Sequence, residues 1–248
     1  MGFHLPASPA KGPPILNTLT DKNIVLDKEK HEYSLVTQPD LVFTSVTTFL
    51  DQFFEGFDSE KIATNLVETN PRYAGRTVES LITEWTATGE HGTQVHEEID
   101  NWIKRGVPPI ETKAAEGVRW LKNYQKKSDI QVRSEVIIYS TELNIAGTVD
   151  ILALDKTTGV YELIDWKTSK RIDTSSYGNK TGTSSITQDV PDCNFYHYAL
   201  QLSLYRYLLE EFYGININNQ LIAHLQNEGA RSLVAPYMRD HIVAMLNN

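Results

Sequence analysis

Two carboxylates and a lysine form the most chemically suggestive group in the chain. Asp165 and Lys167 stand two residues apart in Glu162-Leu163-Ile164-Asp165-Trp166-Lys167-Thr168, and Asp150 ends the run Gly147-Thr148-Val149-Asp150. Residues i and i+2 of a strand point to one face, so a strand ending here projects a carboxylate and an ammonium together. A hairpin turn between the two runs lets Asp150 sit opposite them. Carboxylates meeting at one point repel unless a cation joins them, and hard oxygen ligands favour Mg2+ or Mn2+ over zinc. Such a cation polarises a phosphoryl oxygen and acidifies water. A lysine beside it can hold or deprotonate that water and offset charge on phosphorus. The pattern fits a phosphodiesterase centre. An Asp-x-Lys pair also occurs as a plain surface ion pair. Here an apolar strand precedes Asp165 and Trp166 follows it, a setting in which an unpaired carboxylate is costly.

These residues need strands to hold them, and the sequence supplies three strand-like runs: Ile130-Tyr139, Ile145-Leu154 and Val160-Trp166. Leu143-Asn144 and Lys156-Thr157-Thr158-Gly159 provide the turns. Upstream, Val95, Ile99, Trp102 and Ile103 make the stripe of an amphipathic helix that begins near Gly89 and ends at Gly106 and Pro108-Pro109. A second helix is expected from about Thr112 to Lys127. It buries Val118 and Leu121 and carries Arg119, Lys122 and Lys126 as a basic stripe. A long helix runs from about Phe195 to Tyr213 and stops at Gly214. Gln220-Leu225 reads as a further strand and 236–246 as a terminal helix. The Ser-, Thr- and Gly-rich stretch 173–190 reads as a mobile loop. Before Gly89, 23–36 reads as a hairpin, Thr44-Ser45 caps an apolar helix, and polar helices are expected at 58–68 and 76–88. The fold class that follows is α/β (α+β), a mixed sheet flanked by helices. The chain divides into a loose tail at 1–22, a hairpin with a helical extension at 23–88, and a core at 89–248.

Composition bounds the function. The chain has 248 residues with 23 Lys+Arg against 32 Asp+Glu, a net charge of -9, which argues against coating nucleic acid by bulk charge. The acidity is uneven: residues 1–100 hold 7 basic and 16 acidic side chains, whereas 101–180 hold 13 and 10. Only the segment carrying the carboxylate group is net basic. The single Cys193 excludes a disulfide framework and a four-cysteine metal or iron–sulfur site. No apolar run reaches the roughly 18 residues needed to span a bilayer, and no leader-like stretch opens the sequence. An intracellular, cytoplasmic location without membrane contact is the expectation.

Taken together, Gly147-Thr-Val-Asp150 and Ile164-Asp165-Trp-Lys167-Thr168 resemble the core of the PD-(D/E)xK nuclease superfamily, in its RecB-like branch. Gly92-Thr93-Gln94-Val95-His96 resembles that branch's helical Gly-Thr-x-x-His motif, and Gln201-Leu202-Ser203-Leu204-Tyr205 its Gln-x-x-x-Tyr motif. The four stand in the family's order over about residues 90–210. Phe43-Thr-Ser-Val-Thr-Thr48 is also similar to mitochondrial genome-maintenance exonucleases and related phage proteins. The resemblance implies a restriction-endonuclease-like core and a Mg2+- or Mn2+-dependent exonuclease without an iron–sulfur cluster. The substrate it implies is DNA, single-stranded or with free ends, in replication, recombination, repair or phage genome processing. It implies that His96, Asp150, Asp165 and the backbone carbonyl of Trp166 hold the metal, and that Lys167 is the catalytic lysine. Gln201, Tyr205 and Thr168 would meet the DNA, and Glu135 would serve a second metal or support the first. Arg119, Lys122 and Lys126 are a candidate phosphate-contacting surface. The third-strand acid is Asp165 where the family more often has glutamate, one methylene longer. Rival readings are a structure- or sequence-specific endonuclease of the same superfamily, and a DNA-end-binding protein that does not cut.

Overall fold

Unbroken apolar runs along the central strands decide the architecture. In Ile151-Leu152-Ala153 and Leu163-Ile164 neighbouring side chains are all buried, on opposite faces, so the sheet must be covered on both sides. The computed structural model describes residues 17–248 and has that form. A two-stranded hairpin, β1 (Ile24–Asp27) and β2 (Glu32–Leu35), leads into β3 (Thr44–Ser45) and α1 (Val46–Asp51). Next come α2 (Ser59–Thr69), α3 (Val78–Arg105) and α4 (Thr112–Gln125). The strands β4 (Ile130–Ser140), β5 (Ile145–Asp155) and β6 (Val160–Lys167) follow, then α5 (Asn194–Tyr213), β7 (Ile217–Gln226), β8 (Gly229–Val234) and α6 (Arg239–Leu246). A six-stranded mixed sheet runs β3-β5-β6-β7-β8, with β4 also on β5. Helices α1, α5 and α6 cover one face, and α3 and α4 the other.

One interruption in this sheet matters for everything that follows. β4 pairs with β5 from Ile130↔Asp155 to Ser140↔Ile145. On its other edge β5 pairs with β6 over Ile151–Asp155 and with β3 only at Ile145 and Ala146. Gly147-Thr148-Val149-Asp150 therefore has no ladder partner on that edge. The sheet forks there, between β3 and β6, and the two helix layers meet at the fork.

Glycine at 147 is what lets α5 close on the fork. A Cβ there would stand 2.6 Å from Cε1 of Tyr205 and 3.0 Å from Val46 Cγ2. Two of the sequence motifs thus exist for each other: the bare glycine on β5 receives the tyrosine ring of α5.

Several expectations are corrected. No break occurs near Gly89: α3 runs unbroken from its Thr77 cap for 28 residues, so the boundary expected at 88/89 falls inside a helix. Glycines cost a helix roughly 1 kcal/mol each relative to alanine. At Gly92 close packing gives a reason for one, since a Cβ would lie 3.1 Å from the Thr168 hydroxyl. The stretch 173–190 is a loop but is tied down. Thr187 is buried and its hydroxyl donates to Phe53 O at 2.9 Å. Of the expected loose tail, residues 1–16 lie outside the described residues. The remainder is fastened: Asn17 N–H donates to Phe212 O at 2.8 Å, and Asp21 accepts from the Tyr139 hydroxyl at 2.6 Å. β8 was not anticipated, because its Gly-Ala-Arg-Ser start, half-buried and then exposed, carries no apolar alternation.

Gly147→Ala is expected to lower the thermal midpoint by about 2–12 °C, from roughly 1–3 kcal/mol of overpacking. Gly56→Ala, with nothing within 4 Å of its added Cβ, should leave it within about 2 °C. Thermal denaturation followed by circular dichroism measures both.

Candidate metal centre and active site

The fork gathers acids from three adjacent strands into one row. Glu135 lies between the pairs Ser134↔Ile151 and Val136↔Val149, opposite Asp150. One step beyond Ile151↔Ile164, Asp150 faces Asp165 across strands that no longer pair. The lost ladder bond is replaced by side chain: the Trp166 N–H donates to Asp150 Oδ2 at 2.8 Å. Glu135 adopts a positive φ of 50°, a conformation that costs a non-glycine residue on the order of 1 kcal/mol and tends to mark functional sites. His96 reaches the row from α3, with Nδ1 3.5 Å from Asp150 Oδ2. One donor atom each of His96, Glu135 and Asp150 lie within 4.8 Å of one another.

Lys167 is held on the opposite side of the row. Its Nζ is 2.7 Å from Asp165 Oδ2, donates to Gln201 Oε1 at 3.4 Å, and lies 4.4 Å from the centre of the Tyr198 ring. Gln201 in turn donates to the Tyr205 hydroxyl at 3.2 Å. The two α5 residues sit at i and i+4, on one helix face. The chain beyond Lys167 is also fixed: Lys113 donates to Thr168 O at 2.7 Å, and buried His224 bonds Ser169 O at 2.6 Å. His96, the three acids, Lys167, Gln201 and Tyr205 face a cleft of about 460 Å³ that is also lined by Ser45 and Thr47, by Thr93, Glu97 and Asp100 of α3, and by Lys28, His31 and Tyr33 of the hairpin. Lys28 bonds Glu97 at 3.2 Å and the Tyr33 hydroxyl meets Thr148 Oγ1 at 2.9 Å, so the hairpin spans from α3 to β5.

Crowded burial sets the protonation states. Burial raises the Glu135 carboxyl to about 7, with Asp150 adding to the rise and His96 opposing it. Burial likewise raises Asp165 to about 6 against the pull of Lys167, with Asp150 adding to the rise. Burial works against charge on His96, but the charge and hydrogen bond of Asp150 prevail and raise it to about 8. Burial also opposes ionisation of Asp150, yet His96 and Lys167 hold it below the ordinary aspartate value. For Lys167 burial is again outweighed, by Asp165 and Asp150, and the ammonium is raised. Without a metal, the acids are thus only partly compensated by His96 and Lys167.

The donor set fits a divalent cation: oxygen-rich, acidic, with one imidazole. Of the residues expected around a metal, His96 and Asp150 cluster with Glu135, which was expected to serve a second metal or support the first, while Asp165 lies 2.7 Å from the Lys167 ammonium. The strain at Glu135 has no signature in an isolated sequence. Trp166 enters through its N–H, and its ring is buried in the core against Trp120. Gln201 and Tyr205 line the cleft as expected, while Thr168 stands just behind it, against Gly92. The basic stripe is not brought to the site. Arg119 pairs with Glu116 at 2.8 Å, Lys122 stands 5.1 Å from the Trp102 ring, and Lys126 bonds Asn123 at 3.1 Å. All three lie outside the cleft, on the helix that packs over β7 and β8. Lys28, His31 and Tyr33 at the cleft, and Tyr198 against Lys167, were not foreseen, because only the folded hairpin and α5 bring them there.

No family model matches the chain, and no curated protein matches it. Among solved structures, one titled "Crystal structure of SSO0001" aligns over 83% of this chain and 73% of that chain, at 12% identity and a TM-score of 0.34. A superposition that loose carries no argument. No helix among the described residues is long and apolar enough to cross a membrane.

The raised Glu135 carboxyl has a pH consequence. The metal-free fold prefers its protonated form, so the group removes stability as pH climbs from the ordinary value near 4.5 through about 7. Glu135→Gln should therefore raise the midpoint of metal-free protein by a few degrees at pH 8, roughly 1 kcal/mol, with the gain vanishing near pH 4.5. Mn2+ should stabilise the parent far more than the variant. Melting curves with chelator or Mn2+ at both pH values test this.

Proposed function

We infer that the chain is a divalent-metal-dependent nuclease that hydrolyses phosphodiester bonds, acting as an exonuclease on single-stranded or frayed DNA ends. The observation that carries this reading is one cleft that holds both a histidine–carboxylate donor group and a fixed ammonium. His96, Glu135 and Asp150 cluster in it, and Lys167 is fixed there by Asp165, Gln201 and Tyr198.

His96, Glu135 and Asp150 would hold Mg2+ or Mn2+, with the Trp166 carbonyl as a further oxygen and Asp165 joining where Lys167 turns to the substrate. When bound, the cation offsets negative charge on the phosphoryl oxygens and lowers the proton affinity of nearby water. The raised ammonium of Lys167 supports a role as a fixed positive charge, orienting the attacking water and stabilising charge on phosphorus, in preference to a general base. Asp165 and Gln201 aim the ammonium, and Tyr205 aims Gln201. Lys28 and Glu97 pair at 3.2 Å on the rim of the cleft, and end-directed action rests on the likeness of the Gly92-x-x-x-His96 and Gln201-x-x-x-Tyr205 motifs to the RecB-like branch.

Labelled linear and circular single-stranded DNA, incubated with Mg2+ or Mn2+, test the proposal. The parent should shorten the linear strand and spare the circle, and chelator should stop it. Asp150→Ala and Lys167→Ala should each lose about 100-fold or more in rate. Parental rates in both variants would overturn the site. Cutting of the circle would make the enzyme an endonuclease, and tight end binding without cutting a non-catalytic binder.

A further inference from the structure

The strand that carries Asp165 and Lys167 ends with half its support missing. β6 pairs with β5 only as far as Ile164, so Asp165, Trp166 and Lys167 are laddered to β7 alone. After Lys167 the chain leaves the sheet. A strand end held on one edge opens readily, yet this one keeps an ammonium 2.7 Å from a carboxylate.

Three elements close on the residues that follow. His224 of β7 is the register partner of Lys167, so the two side chains leave the sheet on the same face, and His224 is fully buried. Its Nε2 donates to Ser169 O at 2.6 Å, while Nδ1 is buried with no hydrogen-bond partner among the described residues. An unpaired buried ring nitrogen is costly. Ile222, two residues earlier on that face, shows that an apolar side chain fits this layer, so the donor to Ser169 is what accounts for a histidine here. Lys113, in the first turn of α4, donates to Thr168 O at 2.7 Å. A cation in a first turn opposes the helix dipole, and again a main-chain carbonyl is its partner. On the third side Gly92 of α3 lies against the Thr168 hydroxyl, where a Cβ would stand at 3.1 Å.

We infer that His224 and Lys113 are positioning residues, which set where the Lys167 ammonium stands by fixing the two peptide carbonyls that follow it. Neither side chain lines the cleft, so both act through the backbone. The clamp takes the place, just past Lys167, of the ladder that β5 no longer supplies. Its consequence for turnover rests on the nuclease reading; the placement of Lys167 does not.

Acylation by acetic anhydride, read lysine by lysine through peptide mass spectrometry, measures that placement without turnover. In the parent, Lys167 (17% exposed) should react more slowly than Lys156 (49% exposed). His224→Leu and Lys113→Met should each speed labelling of Lys167 relative to Lys156 by about 5-fold or more, the factor for one lost hydrogen bond, while His224→Gln, which keeps a donor, stays within about twofold of the parent. Parental labelling of Lys167 in both His224→Leu and Lys113→Met would overturn the clamp, and so would equal acceleration at every lysine or no rescue by glutamine. Hydrolysis of linear single-stranded DNA separates the two readings. With an active parent, His224→Leu should lose about 10- to 100-fold in kcat at unchanged KM, and an unchanged kcat would overturn the positioning role. An inactive parent that shows the expected labelling pattern would remove the nuclease reading and leave the clamp standing.

Discussion

Mutual repulsion among three crowded acids, Asp165 buried and Glu135 and Asp150 half-buried, is the constraint around which this molecule is arranged. Glu135, Asp150 and Asp165 come from three neighbouring strands and cannot all ionise in a partly dry fork without help. The fold supplies two fixed cations, His96 from one helix layer and Lys167 from the sheet, which leaves charge for a divalent ion to balance. The net charge of -9 loses its force as an argument against a polyanionic partner, because local charge at the row, once a cation is bound, differs from the sum over the chain.

Keeping such a row open requires a defect in the sheet, and the defect is well supported. β5 gives up its pairing over four residues, yet the gap is sealed by Tyr205 against Gly147, by Tyr33 on Thr148 and by the Trp166 N–H on Asp150. Each replaces ladder bonds or packing that an uninterrupted sheet would have provided. The strain at Glu135 is affordable because β4 is paired on both sides of it.

Much of this was legible in the sequence, and for identifiable reasons. Strands with strong apolar runs declared themselves, and the i, i+2 spacing of Asp165 and Lys167 placed both on one face as read, 2.7 Å apart at Nζ and Oδ2. The i, i+4 spacing did the same for Gln201 and Tyr205. What stayed hidden depended on tertiary position. Glu135 was named as a candidate, but its positive φ and its place beside His96 and Asp150 were not, nor was the 2.7 Å approach of the Lys167 ammonium to Asp165. The hairpin contributes Lys28 and Tyr33 from more than sixty residues away in sequence from the nearest partner. The basic stripe on α4 had the right spacing for a face, but spacing does not say what the face looks at. Continuity of α3 was misread because Gly89 and Gly92 are poor helix formers, whereas the helix is kept by its packing at Leu81, Val95 and Ile99.

That uninterrupted helix also fixes how the sequence can vary. Thr86 to Glu90 are all exposed and touch little, the kind of surface segment in which insertions and deletions are ordinarily harmless. Yet each residue added or removed there would turn one end of α3 about 100° against the other and shift it about 1.5 Å. His96 would swing out of the fork, or Leu81 out of its packing. Substitutions in this stretch are cheap, but its length is locked.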